Sequence, residues 1–98
     1  MKKVFDEQME VFDGDLECDV TQELLSKMKY LDCCIKEALR LYPSVPIIAR
    51  KVQKDTIIDG QLLEAGSGAT VFVHLLHRNP LYWEAPEVFM PERFLHKR

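Results

Sequence analysis

Apolar residues recur at Phe5, Met9 and Phe12, with Val4 and Val11 beside them. This i, i+4, i+7 repeat predicts a short amphipathic helix over residues 2–12, with Asp13-Gly14 as its stop. Residues 15–20 read as an acidic linker, after which Asp19 or Thr21 is placed to cap a second helix over about residues 24–42. Pro43 and Pro46 end it. Turned at about 100° per residue, this helix gathers Lys29, Asp32, Cys33, Lys36 and Arg40 on one side, with Glu37 at its edge near Tyr30 and Leu41. Leu31, Ile35, Ala38, Leu39 and Tyr42 fill the opposite side. On that division Glu37 and Arg40, three residues apart, form an exposed pair worth about 0.2–0.5 kcal/mol.

Past the prolines the texture changes to short β-forming runs: Ile47-Ile48, Val52, Thr56-Ile57-Ile58, Leu62-Leu63 and residues 69–73. Asp59-Gly60 between two of them predicts a hairpin. Gly66-Ser67-Gly68 lacks the Lys-Ser/Thr of a phosphate loop and precedes a strand, so it reads as a turn. The last third carries Pro80, Tyr82, Trp83, Pro86, Phe89, Pro91 and Phe94, which predicts a short helical turn and then irregular chain. Helices first and strands second describe an α+β arrangement, and neither a linker nor a repeat divides it.

The chain has 98 residues, 13 Lys plus Arg against 16 Asp plus Glu, and a formal net charge of -3. A folded chain of this size buries only roughly 60% of its unfolded surface, which argues against a deep cofactor cavity with complete walls. The mild acidic excess lacks the gathered basic face that nucleic acid needs. Cys18, Cys33 and Cys34 are odd in number and two are adjacent, so they do not form a disulfide framework and point to a reducing compartment. Together with His74, His77 and His96 they show no zinc-ligand spacing. His77-Arg78-Asn79-Pro80 reads as helix-ending loop chemistry, without a nucleophile or acid spaced to make a triad. No signal peptide is visible at the start, and no apolar run reaches the roughly 20 residues of a membrane-spanning helix.

Taken in order, Glu37-Ala38-Leu39-Arg40, Leu41-Tyr42-Pro43, Ala49-Arg50, His77-Arg78-Asn79-Pro80 and Trp83-x-x-Pro86-x-x-Phe89-x-Pro91-Glu92-Arg93-Phe94 resemble the cytochrome P-450 superfamily. The stretch from Met28-Lys29-Tyr30-Leu31 to Ile48-Ala49-Arg50-Lys51 is most similar to family four, the animal group that includes fatty-acid omega-hydroxylases. The resemblance implies an α+β piece of that mainly helical fold, made of two helices, a small sheet region and irregular Pro/aromatic-rich chain. It implies that Glu37 and Arg40 are the E-x-x-R pair, with Arg93 as third member of a structural network that steadies the loop carrying the heme ligand. Arg50 matches a position that contacts a heme propionate, and residues 45–49 match a stretch lining the substrate pocket. The resemblance further implies a parent monooxygenase in the endoplasmic reticulum membrane. For that parent the resemblance implies heme as cofactor and, as partners, an NADPH-dependent reductase and a lipophilic substrate, with fatty acids among the candidates.

The family's axial cysteine follows a Phe-x-x-Gly signature that belongs downstream of Phe94, and Cys18, Cys33 and Cys34 do not match it. Without a thiolate on iron, oxygen is not activated in the family's manner. The 98 residues are therefore expected to be an internal piece of one domain, inactive by itself, with no catalytic residue and no metal ligand of its own. Asn79 stands where relatives commonly have Asp, and Glu64 where Pro is usual. The alternative is a truncated, non-enzymatic relative acting as an interaction partner. Apolar helix faces left uncovered then predict association.

Overall fold

The computed structural model describes residues 1–15 and 17–95. Helix α1 runs over Lys2–Val11, α2 over Gln22–Lys27 and α3 over Lys29–Leu41. Strands β1 (Ile47–Lys51), β2 (Thr56–Ile58), β3 (Gln61–Leu63) and β4 (Gly68–Phe72) follow, then the single-turn helix α4 (Val73–Leu76) and a 3-10 turn over Pro91–Phe94. The α+β division read from the sequence is therefore present, with one change in the helices.

Helix α1 stops where Asp13-Gly14 predicts, through a Schellman closure. The Gly14 N–H donates to Met9 O at 2.9 Å and the Asp13 N–H to Glu10 O at 3.3 Å, with Asp13 and Gly14 at φ 53° and 79°. The predicted helix over residues 24–42 is two helices. Thr21 caps α2, its hydroxyl accepting the Leu24 N–H at 3.2 Å, and Asp19 makes no cap. The chain then breaks at Met28, which leaves helical geometry at ψ 69° and buries its side chain. Helix α3 restarts without a side-chain cap of its own. Its first free N–H groups are met instead by Glu7 of α1: Oε1 accepts from Tyr30 at 2.6 Å and Oε2 from Leu31 at 2.9 Å. A carboxylate at a helix N-terminus satisfies orphan donors and the positive end of the dipole together. Periodicity could not show this break, because the group that compensates it lies more than 20 residues away.

The strands form two antiparallel pairs. β1 pairs with β4 from Ile47 opposite Phe72 to Lys51 opposite Gly68, and β2 pairs with β3 from Thr56 opposite Leu63 to Ile58 opposite Gln61. The hairpin turn is Asp59-Gly60, at φ 50° and 78°, the positive pair that a two-residue type I′ connection requires. Beyond β1 the ladder continues irregularly: Val52 N–H donates to Ser67 O and Gly66 N–H to Val52 O, each at 2.8 Å. Gly66-Ser67-Gly68 is thus a turn held to the strand.

The fold is elongated, 58 × 30 × 23 Å with a radius of gyration of 19.3 Å. A compact chain of this length would have about 13 Å. The buried side chains are correspondingly few, and they gather on α3 and its neighbours: Phe12, Met28, Cys33, Glu37, Arg40, Leu41 and Pro91. Substituting Gly60→Ala puts a Cβ into the left-handed region at a cost of about 1–2 kcal/mol. Amide exchange is expected to accelerate across β2 and β3 and to stay unchanged in α3; equal acceleration in both would contradict a locally formed hairpin.

Candidate functional site

The buried stripe of α3 is Cys33, Glu37, Arg40 and Leu41, four residues that lie along one face of a 3.6-residue repeat. The helix therefore turns the opposite way from the wheel-based expectation. Glu37 has no exposed surface and Arg40 only 2%, whereas Ile35, Leu39 and Tyr42 are 52%, 47% and 76% exposed. The exposed-pair reading is corrected by this burial. Its physical reason lies outside the helix, in the carbonyl-rich chain of residues 77–93 that wraps the polar stripe and satisfies it.

The satisfaction is nearly complete. Arg40 donates through Nε to Glu37 Oε2 at 2.9 Å and through Nη2 to Glu37 Oε1 at 2.7 Å, a two-pronged fork. Its remaining N–H groups reach His77 O at 2.9 Å, Pro86 O at 2.7 Å and Val88 O at 3.2 Å. All five guanidinium donors are thereby used. Arg93 comes from the 3-10 turn, donating through Nε to Glu37 Oε1 at 3.0 Å. Its other contacts are Glu84 O at 2.8 Å, Ala85 O at 3.3 Å and Val88 O at 3.1 Å. The Met90 N–H adds a third donor to Glu37 Oε1 at 3.0 Å.

One carboxylate thus collects two arginines and a backbone amide, and the two arginines collect carbonyls from residues 77–88. Burial pushes the Glu37 carboxyl up, but the hydrogen bonds from Arg40, Met90 N–H and Arg93 outweigh it and hold the group below the usual carboxylate range. Trp83 lies against both cations, with the Arg40 and Arg93 guanidinium carbons 5.2 and 5.9 Å from its ring centre. Its indole N–H donates to Leu76 O at 3.2 Å, and its ring meets His77 edge-on and Phe94 at a tilt. Ala85 is held at φ 44°, a left-handed conformation that goes with turning this run of carbonyls inward. Arg78 fastens the end of α3 separately, donating to Leu41 O at 2.8 Å and pairing with Glu87 at 2.6 Å.

Of the residues singled out in the sequence, Glu37, Arg40 and Arg93 meet and Arg50 stands apart from them. Arg50 is exposed on β1, opposite Ala69, and among the described residues its guanidinium donates only to Ala49 O, at 3.0 Å. His77 contributes its carbonyl, not its ring, to the network. Cys18, Cys33 and Cys34 are free thiols. Burial pushes the Cys33 and Cys34 thiols up, away from thiolate. His96 lies outside the described residues. Lys3 and Glu7 are not singled out in the sequence, and Tyr30 and Glu92 stand in quoted motifs without a partner assigned to them. Glu92 accepts from Lys3 Nζ at 2.7 Å and from the Tyr30 hydroxyl at 3.0 Å. The hydrogen bond from Lys3 leads in lowering its carboxyl to about 2.

Replacing Glu37→Gln keeps the side-chain shape but leaves two guanidinium groups without their shared anion, and is expected to cost about 3–5 kcal/mol in a denaturant titration. Ala85→Gly relieves the positive φ and is expected to stabilise by roughly 0.4–1 kcal/mol in the same assay. Acid acts through the depressed carboxyls. Glu37 and Glu92 sit below their unfolded value of about 4.3, so the stabilisation they provide is present above that pH and is lost as pH falls through the folded values. Loss of Trp83 near-ultraviolet circular dichroism is expected only as pH falls below about 4.3, and a signal unchanged by acid would contradict the coupling.

The family model described as Cytochrome P450 matches residues 1–98. Among curated relatives, Cytochrome P450 4c3 of Drosophila melanogaster is 44% identical over 94 residues, which is 96% of this chain and 18% of that protein. Cytochrome P450 4V2 is 47% identical in Mus musculus and 46% in Homo sapiens, each over 93 residues that cover 95% of this chain and 18% of the relative. The chain spans about 18% of the length of these relatives. With a match along its whole length and a fork of Glu37 with Arg40 and Arg93 at its centre, the chain belongs to the cytochrome P450 family, and within it resembles family four.

Proposed function

We infer that these 98 residues form the scaffold segment of a heme-thiolate monooxygenase and constitute one partial domain of it. The observation that carries the reading is the Glu37 carboxylate shared by Arg40 and Arg93, which ties the chain of residues 77–90 to α3. Such a network performs no proton transfer. It fixes the geometry of the chain that follows Phe94, where on this reading the Phe-x-x-Gly signature and the axial cysteine belong.

A propionate-bearing group fits the donors that Arg50 leaves unused on the exposed strand β1. The thiols of Cys33 and Cys34, raised by burial, do not fit the role of axial thiolate. When bound, heme supplies the oxygen chemistry, and the residues of this segment hold and orient. The parent would hydroxylate a lipophilic substrate, with fatty acids the favoured class, using electrons from an NADPH-dependent reductase at the endoplasmic reticulum membrane. No helix among the described residues is long and apolar enough to cross a membrane. The second reading is a truncated, non-enzymatic relative acting as an interaction partner. On that reading exposed apolar side chains such as Ile35 and Leu39 lead to association.

Sequencing the transcript beyond the Arg98 codon separates the two. An in-frame Phe-x-x-Gly followed by Cys is the expected result, and a stop codon directly after Arg98 would overturn the enzyme reading. Purified chain mixed with heme is expected to give no thiolate-type carbon monoxide spectrum. A clear thiolate band would contradict the assignment of the axial ligand to chain past Phe94.

A further inference from the structure

Helix α1 makes polar contacts with two separate elements through one face. Lys3 and Glu7 are four residues apart and so lie one above the other on the helix surface. Glu7 accepts the Tyr30 and Leu31 N–H groups at the start of α3. Lys3 reaches Glu92 in the 3-10 turn at 2.7 Å, and the Tyr30 hydroxyl closes on the same Glu92 oxygen at 3.0 Å. Glu92 is the immediate neighbour of Arg93, whose guanidinium rests on Glu37.

The contacts therefore close a circuit. Helix α1 holds the N-terminal end of α3 through Glu7; α3 holds the 3-10 turn through Glu37 and Arg93; the turn returns to α1 through Glu92 and Lys3. Each member fixes a different coordinate. Glu37 fixes where the Arg93 head sits, and Glu92 fixes the backbone one residue before it. A residue pinned by its own side chain and by its neighbour's has little freedom to pivot, because the two attachment points leave α3 at Glu37 and at Tyr30, about two helical turns apart.

We propose that Lys3 and Glu7 are positioning residues: through Glu92 and the start of α3 they set the Arg93 arm on Glu37, and so the direction in which the chain leaves Phe94. The functional meaning of that direction rests on the scaffold reading above; the circuit itself does not. Helix α1 thereby acts as a brace for the E-x-x-R network, although it contributes nothing to the Glu37 carboxylate directly.

The test is amide hydrogen exchange of the full 98-residue chain, read residue by residue. The readout is the Met90 N–H, which donates to Glu37, and the Arg93 N–H, which donates to Met90 O at 3.2 Å. Lys3→Met removes the cation and keeps the apolar stem; it is expected to speed exchange at Met90 and Arg93 about two- to fivefold, the range of an exposed ion pair. Glu7→Gln is expected to speed exchange at Tyr30 and Leu31 and also at Met90. In both variants the β2–β3 hairpin amides are expected to keep their rates, and Lys3→Arg is expected to restore Met90.

Unchanged Met90 and Arg93 rates in Lys3→Met and Glu7→Gln would overturn the proposal. Acceleration confined to Tyr30 and Leu31 in Glu7→Gln would reduce Glu7 to a local cap and overturn its part. A uniform rise that includes the hairpin, or a Met90 amide already unprotected in the unsubstituted chain, would overturn the circuit as a whole. None of these outcomes depends on heme. A failed enzyme reading, marked by a stop codon after Arg98, is therefore distinguishable from a failed brace.

Discussion

A single fully buried carboxylate, Glu37, organises this segment. Burying an ion is expensive, and the expense is offset only where its lone pairs are met by well-placed donors. Here Glu37 meets two guanidinium groups and a backbone N–H, and those guanidinium groups in turn absorb the carbonyls of His77, Glu84, Ala85, Pro86 and Val88. Those carbonyls belong to chain without a regular ladder of its own. The network therefore does for residues 77–90 what backbone pairing does for a sheet: it gives each inward-facing polar group a partner. An apolar core of the few side chains that are buried could not fix that chain in one conformation.

The same constraint explains why some of the fold was legible in sequence and some was not. Local signals succeeded: the stop at Asp13-Gly14, the Thr21 cap, the Asp59-Gly60 turn and the helix end before Pro43 all depend on residues close in sequence. The wheel of α3 failed because it assumes that apolar residues face inward. This helix buries a charged stripe and leaves Ile35 and Leu39 exposed, an arrangement made tolerable only by Arg93 and by carbonyls 37 to 48 residues away. The break at Met28 was hidden for the same reason, since the compensating carboxylate sits on α1.

The candidate site was legible by resemblance more than by physics. The ordered motifs around Glu37, Arg40 and Arg93 gave those residues a structural part that spacing alone did not, and the geometry supplies the bonds between them. Trp83 stood within the quoted motif, yet its contact with both guanidinium groups became visible only in three dimensions. Lys3 and Glu7 lie outside every quoted motif, and Tyr30 and Glu92 lie within motifs that assign them no partner. Their contacts join positions 23 to 89 residues apart, and charged residues on a short helix read as a solvated face until a partner is located.

The central claim, that Glu37 holds both arginines in fixed geometry, is tested most directly by nuclear magnetic resonance of the arginine Nε–H groups. In the intact chain the Nε–H protons of Arg40 and Arg93, each bonded to Glu37, should exchange slowly with solvent. That of Arg50, exposed on β1, should exchange at the free rate. Slow exchange at Arg40 and Arg93 that disappears in Glu37→Ala while the hairpin stays folded is the predicted result. Equal, fast exchange at all three arginines in the folded chain would contradict it.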